Sequence, residues 1–343
     1  MKTKSIHKPA SGRAPVLVAV VAVVALLALG GAARARAQEI ARPKILGIAH
    51  AALLCSNIDA SRAFFKDYLG FDEPYSRRNP DGSFVLTWIK INDLQQIELF
   101  PVTAKTTGAV NHLYQIALIT DNCEAMRLYL KSKGWKAGDK PVSLNGVGTR
   151  NMTVKDPDGH TIEFVEYTGE SWMFKDKGLH MPGTRISPRI RHVGFIVSDV
   201  AASSHFYKDI LGCTETWRMS REGDELNYIN LRLPDCDEYL EFMLYGGAEP
   251  GVKKMRSMNH ICLESSDPDA AYATLQQRAS ALPKGCAPPS APRTGLDRKR
   301  QFNTYDPDGT RIELMEPAPG DGIPAASRDA PLPVPDKIKG ARP

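Results

Sequence analysis

The chain has 343 residues, of which 42% are hydrophobic and 24% are charged. This composition excludes a fibrous or wholly disordered protein, and the length suggests about two globular domains. The formal charge is +5, but residues 1–37 contain six basic and no acidic residues, so the remaining chain carries −1. The body of the protein therefore offers no electrostatic case for binding nucleic acid.

Residues 1–37 form a predicted signal peptide. A basic stretch precedes the 14-residue apolar run Val16–Leu29, and Ala35-Arg36-Ala37 provides a cleavage site. A helix of this length would rise about 21 Å, which is too short for a hydrocarbon core of roughly 30 Å. We expect the mature protein to be secreted or periplasmic, with no stable membrane span after cleavage. The alternative is an uncleaved N-terminal membrane anchor.

An internal repeat organises the rest of the chain. The segment containing His50 and Phe64–Gly70 returns at His192 and Phe206–Gly212, shifted by 142 residues. The run Asp-Pro-Asp-Gly at 156–159 returns at 306–309, shifted by 150 residues. We interpret the chain as a tandem duplication with domains at 45–168 and 189–317, joined by a polar linker at 169–188. Residues 318–343 are rich in proline and are predicted to be a disordered tail.

Each half is expected to contain two β-α-β-β-β units, so the predicted fold class is α+β, with four units in two tandem domains. The predicted first-half strands are Ile48–Cys55, Phe84–Ile89, Gln96–Phe100 and Gln115–Thr120. The four main helices are expected to start at Asn57, Asn122, Asp199 and Asp267, with Asp59 as a candidate cap of the first and Pro268 at the first helical position of the last. The six cysteines contain no C-x-x-C pair; we interpret most of them as buried apolar side chains, with room for one or two disulfides.

Eight polar residues recur at two structural positions of these units. An imidazole or amide opens the first strand of each unit, seven residues before the helix start, and a Glu between two apolar residues lies near the end of each unit. The eight residues are His50, Glu98, Gln115, Glu163, His192, Glu241, His260 and Glu313. Because strand side chains alternate between faces, each Glu is expected to point away from the face that its neighbours bury against the helices.

Two units together would offer two His or Gln side chains and two Glu, a nitrogen and oxygen set suited to Ni, Zn, Fe, Co or Mn. A single Glu on an amphipathic strand is usually only solvated, and a single His that opens a strand is usually structural. The fourfold recurrence favours a divalent metal site. Pairing within the halves and pairing between them both give complete sets, so the sequence leaves that choice open.

The sequence resembles the vicinal oxygen chelate (VOC) superfamily, which includes glyoxalase I, extradiol dioxygenases, methylmalonyl-CoA epimerase and the fosfomycin and bleomycin resistance proteins. The resemblance covers about 45–317 and rests on H-V-G-F-I-V-S-D-V with F-Y-K-D-I-L-G, on N-H-I-C-L-E, and on two D-P-D-G-x-x-I-E runs. It implies paired units that form curved mixed sheets around a divalent metal, which holds two vicinal oxygens of a substrate. By position, the second-half set matches the His/Glu/His/Glu ligands of bacterial glyoxalase I, and the first-half set matches its variant with one Gln.

The resemblance implies a metal-dependent, glyoxalase-like isomerase or lyase with a small vicinal-oxygen substrate, and the predicted signal peptide implies that it is exported. A ligating Glu, either Glu313 or Glu163, would serve as the general base. An alternative is a metal-free binding protein that sequesters a small molecule, of the bleomycin-resistance type. A third is an extradiol-type dioxygenase, but the run 301–306 lacks the His of that signature, which disfavours ring cleavage. We expect a small-molecule substrate and a monomer or homodimer.

Gln115 competes with His112 for the strand-opening position of the second unit. Asn111-His112 resembles Asn259-His260, but Gln115 has the seven-residue spacing to Asn122 that the other units show. The two candidates are three residues apart, so on a regular strand they face opposite sides. The spacing favours Gln115 as the cup residue and leaves His112 without a metal role; a β-bulge between them would reverse this assignment.

Overall fold

The computed structural model describes residues 1, 40–221, 225–244 and 251–333. The predicted signal peptide lies outside the described residues except for Met1, as does the end of the predicted tail. No helix among the described residues is long and apolar enough to cross a membrane.

The first half contains two units that share one sheet. Its strands are β1 (Ile45–Cys55), β2 (Asp72–Arg78), β3 (Phe84–Lys90), β4 (Gln96–Pro101), β5 (Leu113–Thr120), β6 (Thr149–Lys155) and β7 (Thr161–Tyr167). Its helices are α1 (Ile58–Ala63, continued by a π-helical turn Phe64–Tyr68), α2 (Cys123–Ser132) and the short α3 (Trp172–Lys175). The second of these units is incomplete, because the strand that should follow its helix is reduced to an isolated β-bridge between Leu144 and Arg150.

The second half repeats this layout with two complete units. Its strands are β8 (Ile190–Ile196), β9 (Thr214–Met219), β10 (Tyr228–Arg232), β11 (Tyr239–Met243), β12 (His260–Glu264), β13 (Arg293–Thr294), β14 (Arg300–Tyr305) and β15 (Arg311–Met315). Its helices are α4 (Val200–Ser204, continued by a π-helical turn His205–Ile210), α5 (Val252–Met258) and α6 (Pro268–Gln277), followed by a 3₁₀ turn Ala279–Ala281.

The units pair within each half. The first sheet has the strand order β2-β3-β4-β1-β5-β7-β6, and the second has the order β13-β14-β15-β12-β8-β11-β10-β9. The opening strands of the two units lie antiparallel at each centre, and each is flanked by the parallel closing strand of its own unit. The two curled mixed sheets confirm the predicted α+β class, and each half contains its own complete set of recurring residues.

The four main helices begin as the sequence spacing predicts. Asn57, Asn122, Asp199 and Asp267 are the N-cap residues, and the side chain of each accepts a hydrogen bond from the backbone N–H three residues later. The prediction that Asp59 caps the first helix was wrong, because Asp59 lies inside the first turn and pairs with Arg62 at 2.9 Å. Gly70 ends the π-helical turn at a φ of +79°, a backbone conformation that favours glycine.

The repeated Asp-Pro-Asp-Gly turns connect the two halves. Asp158 accepts hydrogen bonds from the backbone N–H and hydroxyl of Ser198 and from the hydroxyl of Ser203, just before and within α4. Asp308 accepts from the backbone N–H of Ser56, just before α1. Each half therefore uses its turn to hold the helix start of the other half.

The described part of the tail contacts the second half. The carbonyl of Pro331 accepts from the N–H of Leu226 at 2.9 Å, and Asp329 pairs with Arg218 at 2.8 Å. These contacts hold the segment against the second half, at the edge formed by β9. All six cysteines are free thiols, and Cys55, Cys123, Cys213 and Cys262 are buried.

Candidate metal centre

Each sheet curls around one set of four recurring polar residues. We call His50, Glu98, Gln115 and Glu163 the first cup, and His192, Glu241, His260 and Glu313 the second cup. The apolar neighbours of the Glu residues, such as Ile312 and Leu314, are fully buried in the main core, so strand alternation turns the carboxylates to the opposite face. The structure thus brings each predicted set together within one half.

In the second cup the four side chains converge on one point. The Nε2 atoms of His192 and His260 are 3.0 Å apart. Carboxylate oxygens of Glu241 lie 4.0 Å and 3.3 Å from these two atoms, and those of Glu313 lie 3.4 Å and 3.7 Å from them. In the described chain, ligand atoms lie within 4.8 Å of one another in the set His192, Glu241 and His260 and in the set His192, Cys262 and Glu313.

The imidazoles of the second cup are oriented to present Nε2. The Nδ1 atom of His260 lies 2.7 Å from the carbonyl of Met258 and can only donate to it, so its Nε2 has a free lone pair in the neutral ring. Burial lowers the pKa of His260 to about 3 and also lowers the pKa of His192. Both rings are therefore neutral near pH 7, which is the form that binds metals.

The two carboxylates of the second cup differ in their surroundings. Burial disfavours ionisation of Glu313, but Arg311 and the two imidazoles outweigh it and lower the pKa of this carboxyl. Burial raises the pKa of Glu241, against the opposing effect of His192. Within the described residues, Glu241 has no hydrogen-bond donor from the protein other than the imidazoles.

The first cup has the same layout, but protein side chains already donate hydrogen bonds to its two carboxylates. Glu98 accepts from Trp88 Nε1 and from Gln96. Glu163 accepts from the amide groups of Gln115 and Asn151. The same Gln115 amide lies 3.0 Å from His50 Nε2, and that imidazole is 3.5 Å from Glu98 and 3.0 Å from Glu163. Burial opposes protonation of His50, but the two carboxylates outweigh it and raise its pKa.

His112 lies outside the first cup, as the spacing predicts. Its Nε2 is 2.8 Å from the guanidinium of Arg256, and its Nδ1 is 3.6 Å from Asp308. Gln115 instead lies in the cup, so the predicted register of the second unit is confirmed. The ligand roles of the eight residues and the base roles of Glu313 and Glu163 stay predictions.

Several residues that shape the cups were missed by the sequence reasoning. Cys262 and Arg311 each lie two positions from a cup residue on the same strand, so strand alternation alone would have placed them on the cup face. Trp88 and Asn151 come from neighbouring strands whose register with Glu98 and Glu163 requires the sheet pairing. Trp217, on β9, lines the second cup, and its place there likewise depends on how the strands pair.

The donor set of the second cup fits a divalent metal ion. It combines two neutral imidazole nitrogens and two carboxylates that lack other protein donors among the described residues. Imidazole and carboxylate ligands together suit Zn, Ni, Mn, Co or Fe. The first cup fits less well, because protein donors already occupy its carboxylates and an amide replaces one imidazole.

The sequence matches the family described as the Glyoxalase/Bleomycin resistance protein/Dioxygenase superfamily over residues 47–164 and 189–314. Uncharacterized protein YwbC from Bacillus subtilis (strain 168) is 26% identical to this chain over 121 residues, which cover 35% of this chain and 96% of YwbC.

Solved structures with similar folds include two dioxygenases and a glyoxalase. The 2,3-dioxygenase LapB from Pseudomonas sp. KL28 is 17% identical, with a TM-score of 0.59 over 85% of this chain and 98% of LapB. An extradiol ring-cleaving dioxygenase from B. fuscum is 17% identical, with a TM-score of 0.60 over 86% of this chain and 75% of that chain. The Mn(II)-bound glyoxalase from Novosphingobium aromaticivorans is 16% identical, with a TM-score of 0.59 over 88% and 95%. At these identities the likeness concerns the fold.

Proposed function

Because this chain belongs to the Glyoxalase/Bleomycin resistance protein/Dioxygenase superfamily, we propose that its second cup is the active site of a metal-dependent, glyoxalase-like isomerase or lyase. The observation that carries the proposal is the 3.0 Å approach of two Nε2 atoms, with a carboxylate of Glu241 and one of Glu313 beside them. His192, Glu241, His260 and Glu313 would hold the metal, and the substrate would be a small molecule with two neighbouring oxygens.

A bound divalent metal would polarise the substrate oxygens and stabilise negative charge that develops on them. The chain must then move a proton between adjacent substrate carbons, and a carboxylate is suited to this as a general base. The contacts favour Glu241 over Glu313 in this role. The side chain of Glu241 is 13% exposed and lacks fixed protein donors, whereas Glu313 is 6% exposed and lies 3.9 Å from Arg311. In this role Glu241 would leave the metal, so that its freed carboxylate could accept the proton and return it to the neighbouring carbon.

The fourth ligand favours isomerisation over ring cleavage. His192, His260 and Glu313 alone would form a 2-His-1-carboxylate face, which leaves positions for both a diol and dioxygen. Glu241 would add a second carboxylate to that set. A divalent ion held by all four residues would have less room for dioxygen beside the two vicinal oxygens of one substrate.

Solvent exchange at carbon tests this activity. The protein reconstituted separately with Ni, Zn, Mn, Co and Fe would be incubated with hydroxyacetone in D₂O, and deuterium incorporation would be followed by NMR. We expect exchange beside the carbonyl that requires metal and is lost in Glu241→Gln. Metal-dependent dioxygen consumption with catechol would instead identify a dioxygenase. If the protein binds metal but catalyses neither deuterium exchange on a panel of α-hydroxy carbonyl compounds nor dioxygen consumption with catechol, the isomerase proposal is refuted.

The first cup supports a second candidate function, metal-free binding of a small molecule. Its carboxylates are held by protein donors, and its cavity of about 380 Å³ is lined by Tyr75, Trp88, Phe100, Tyr167 and Trp172. A cavity of this size with aromatic walls and a few polar groups is typical of a small-molecule site. Calorimetric titration of the metal-free protein with 2-naphthol tests this function: we expect binding that Trp172→Ala weakens, and no heat of binding would exclude this ligand class.

We also propose export of the protein, on the basis of the basic and apolar segments of residues 1–37. N-terminal sequencing of the protein from an extracytoplasmic fraction should begin after Ala37. Full-length protein in the membrane fraction would indicate the uncleaved anchor. The assembly state, monomer or homodimer, is a matter for light scattering of the mature chain.

A further inference from the structure

We propose that the second cup selects a substrate that carries a carboxylate in addition to its two chelating oxygens. This inference rests on the proposed function and names the substrate class of the same site. The two cups differ in the charge of their walls. Arg221, Arg293 and Arg311 line the second cup together with Asp297, whereas Arg77 is the one Arg or Lys among the residues that line the first cup.

Arg311 is the residue on which the inference depends most. Its side chain is 13% exposed, and it points along the cup face two positions before Glu313 on β15. Among the described residues, the closest carboxylate oxygen is on Glu313, 3.9 Å away, and the buried Nε has no hydrogen-bond partner. Buried guanidinium groups are normally paired through several hydrogen bonds. Arg311 makes none with the described residues, so its donors are available to a ligand.

A second unpartnered donor lines the same cavity. The indole Nε1 of Trp217 is buried and has no acceptor among the described residues, although buried indole N–H groups usually find one. Two donors that lack acceptors among the described residues therefore offer their N–H groups to a ligand in one cavity. A carboxylate supplies four lone-pair sites and matches the planar fork of a guanidinium.

The shape of the cavity limits the size of the ligand. Its volume is about 200 Å³, and the rings of Trp217 and Tyr228 stack at 6.4 Å with an interplanar angle of 26°. Tyr239 lies flat against the His192 imidazole at 4.4 Å. This space admits one small ring or a short chain between aromatic walls, in keeping with a small organic acid.

The first cup provides an internal comparison. The position that corresponds to Arg311 in the repeat is Thr161, two residues before Glu163. The strand geometry is the same, because Thr161 pairs with Gln115 as Arg311 pairs with His260. The arginine is therefore specific to the half whose carboxylates are free of protein donors, which links anion recognition to the proposed metal centre.

Two matched probes test the inference. Binding of 3,4-dihydroxybenzoate and of its neutral amide, 3,4-dihydroxybenzamide, would be measured by calorimetry with metal-loaded and metal-free protein. We expect the acid to bind about tenfold more tightly than the amide in both forms, and Arg311→Gln to reduce this preference to less than about twofold. Arg191→Gln is the matched control, because Arg191 pairs with Asp237 on the other face of β8 and should leave the preference unchanged.

Metal analysis of each variant separates the two proposals. If the wild type binds no metal but still prefers the acid through Arg311, the active-site proposal fails and the anion site stands. If Arg311→Gln keeps its metal and loses the preference, both stand. Equal affinities for acid and amide in the wild type, or a preference that survives Arg311→Gln, would overturn the anion site.

Discussion

The imidazole of His260 lies directly against the backbone of Gly194, its partner across the β8–β12 pair. A Cβ atom on Gly194 would come within 2.7 Å of the ring Nε2, and closer still to Cε1. The corresponding pair of the first cup is Ala52 and Gln115. The Cβ methyl group of Ala52 thus lies opposite Gln115 in the first cup, whereas Gly194 places no methyl group opposite the His260 imidazole in the second cup.

Gly194→Ala should therefore weaken metal binding by the second cup while the protein remains folded. The added methyl group must displace the His260 ring, so we expect metal affinity to fall at least tenfold, a loss of about 1.4 kcal/mol or more. Competition with a metal-sensitive dye measures this affinity. Gly183→Ala is the control, because a Cβ there meets nothing within 4 Å; equal metal affinities of the two variants would contradict the steric argument.

The same steric relationship predicts which substitutions would allow the first cup to bind metal. Gln115→His alone should fail, because an imidazole in the pose of His260 would meet the Cβ of Ala52. The double variant Ala52→Gly with Gln115→His should bind more metal than either single variant. The readout is metal per chain in a Glu313→Gln background, which removes the contribution of the second cup. Failure of the double variant would indicate that the protein donors around Glu98 and Glu163 control binding.

Asp158 should contribute strongly to stability, because it joins the two halves. Its side chain is buried and accepts from Ser198 and Ser203, and the hydroxyl of Ser203 would lose its acceptor in Asp158→Ala. Hydrogen bonds to charged groups contribute about 1.5–3 kcal/mol each, so we expect a loss on the order of 3 kcal/mol in the free energy of unfolding. Urea denaturation measures this loss.

The control for Asp158 is an ion pair on the surface. The side chain of Asp139 is 98% exposed and pairs with Lys131, and exposed pairs of this kind contribute about 0–1 kcal/mol. Asp139→Ala should change the free energy of unfolding by less than about 1 kcal/mol. A similar change in both variants would mean that the cross-half contacts of Asp158 do not stabilise the fold.

Asp306, the first aspartate of the second repeated turn, should make the stability of the protein depend on pH. Burial raises the pKa of Asp306 from 3.8 to about 7, and its Oδ2 has no hydrogen-bond partner among the described residues. Between these values the folded chain retains a proton that the unfolded chain has lost. Unfolding then releases a proton, so the contribution of Asp306 to the free energy of unfolding falls as the pH rises from about 4 to 7.

Asp306→Asn should remove this dependence. The amide retains the acceptor for the N–H groups of Asp308 and Thr310, so the variant should equal the wild type near pH 4 and exceed its stability by on the order of 2 kcal/mol at pH 8. Asp156→Asn should destabilise at both pH values, since Asp156 Oδ2 accepts from Tyr207 and contacts His160. Urea denaturation at the two pH values checks both variants; a constant difference between Asp306→Asn and wild type would contradict the assignment.

The periodicity of the sequence was sufficient to predict the α+β class, the helix starts and the facing of the cup residues. Gln115 was separated from His112 by spacing alone, because a fixed distance to the N-cap residue reflects the length of one strand and its connection. The seven-residue spacing placed the start of the first helix at Asn57, but the cap was assigned to Asp59, because both side chains can cap and only the backbone decides between them.

Other features depend on contacts between distant segments. The donors to Glu98 and Glu163 come from Trp88 and Asn151, whose alignment is set by strand register. The pairing of units within halves also depends on which strand edges meet, which local periodicity does not specify. The sequence was sufficient to place Arg311 on the face of the second cup, two residues before Glu313. It could not show that the Arg311 guanidinium makes no hydrogen bond with the described residues.

Metal content tests most directly whether the second cup, and not the first, holds a divalent metal. Mature protein purified without chelator and saturated with Ni or Mn should contain about one metal ion per chain by elemental analysis. Glu313→Gln should reduce this to less than about 0.1, whereas Glu163→Gln should leave it unchanged, because the carboxylate of Glu163 is already held by Gln115 and Asn151. Equal losses from the two substitutions, or no bound metal in the wild type, would contradict the claim.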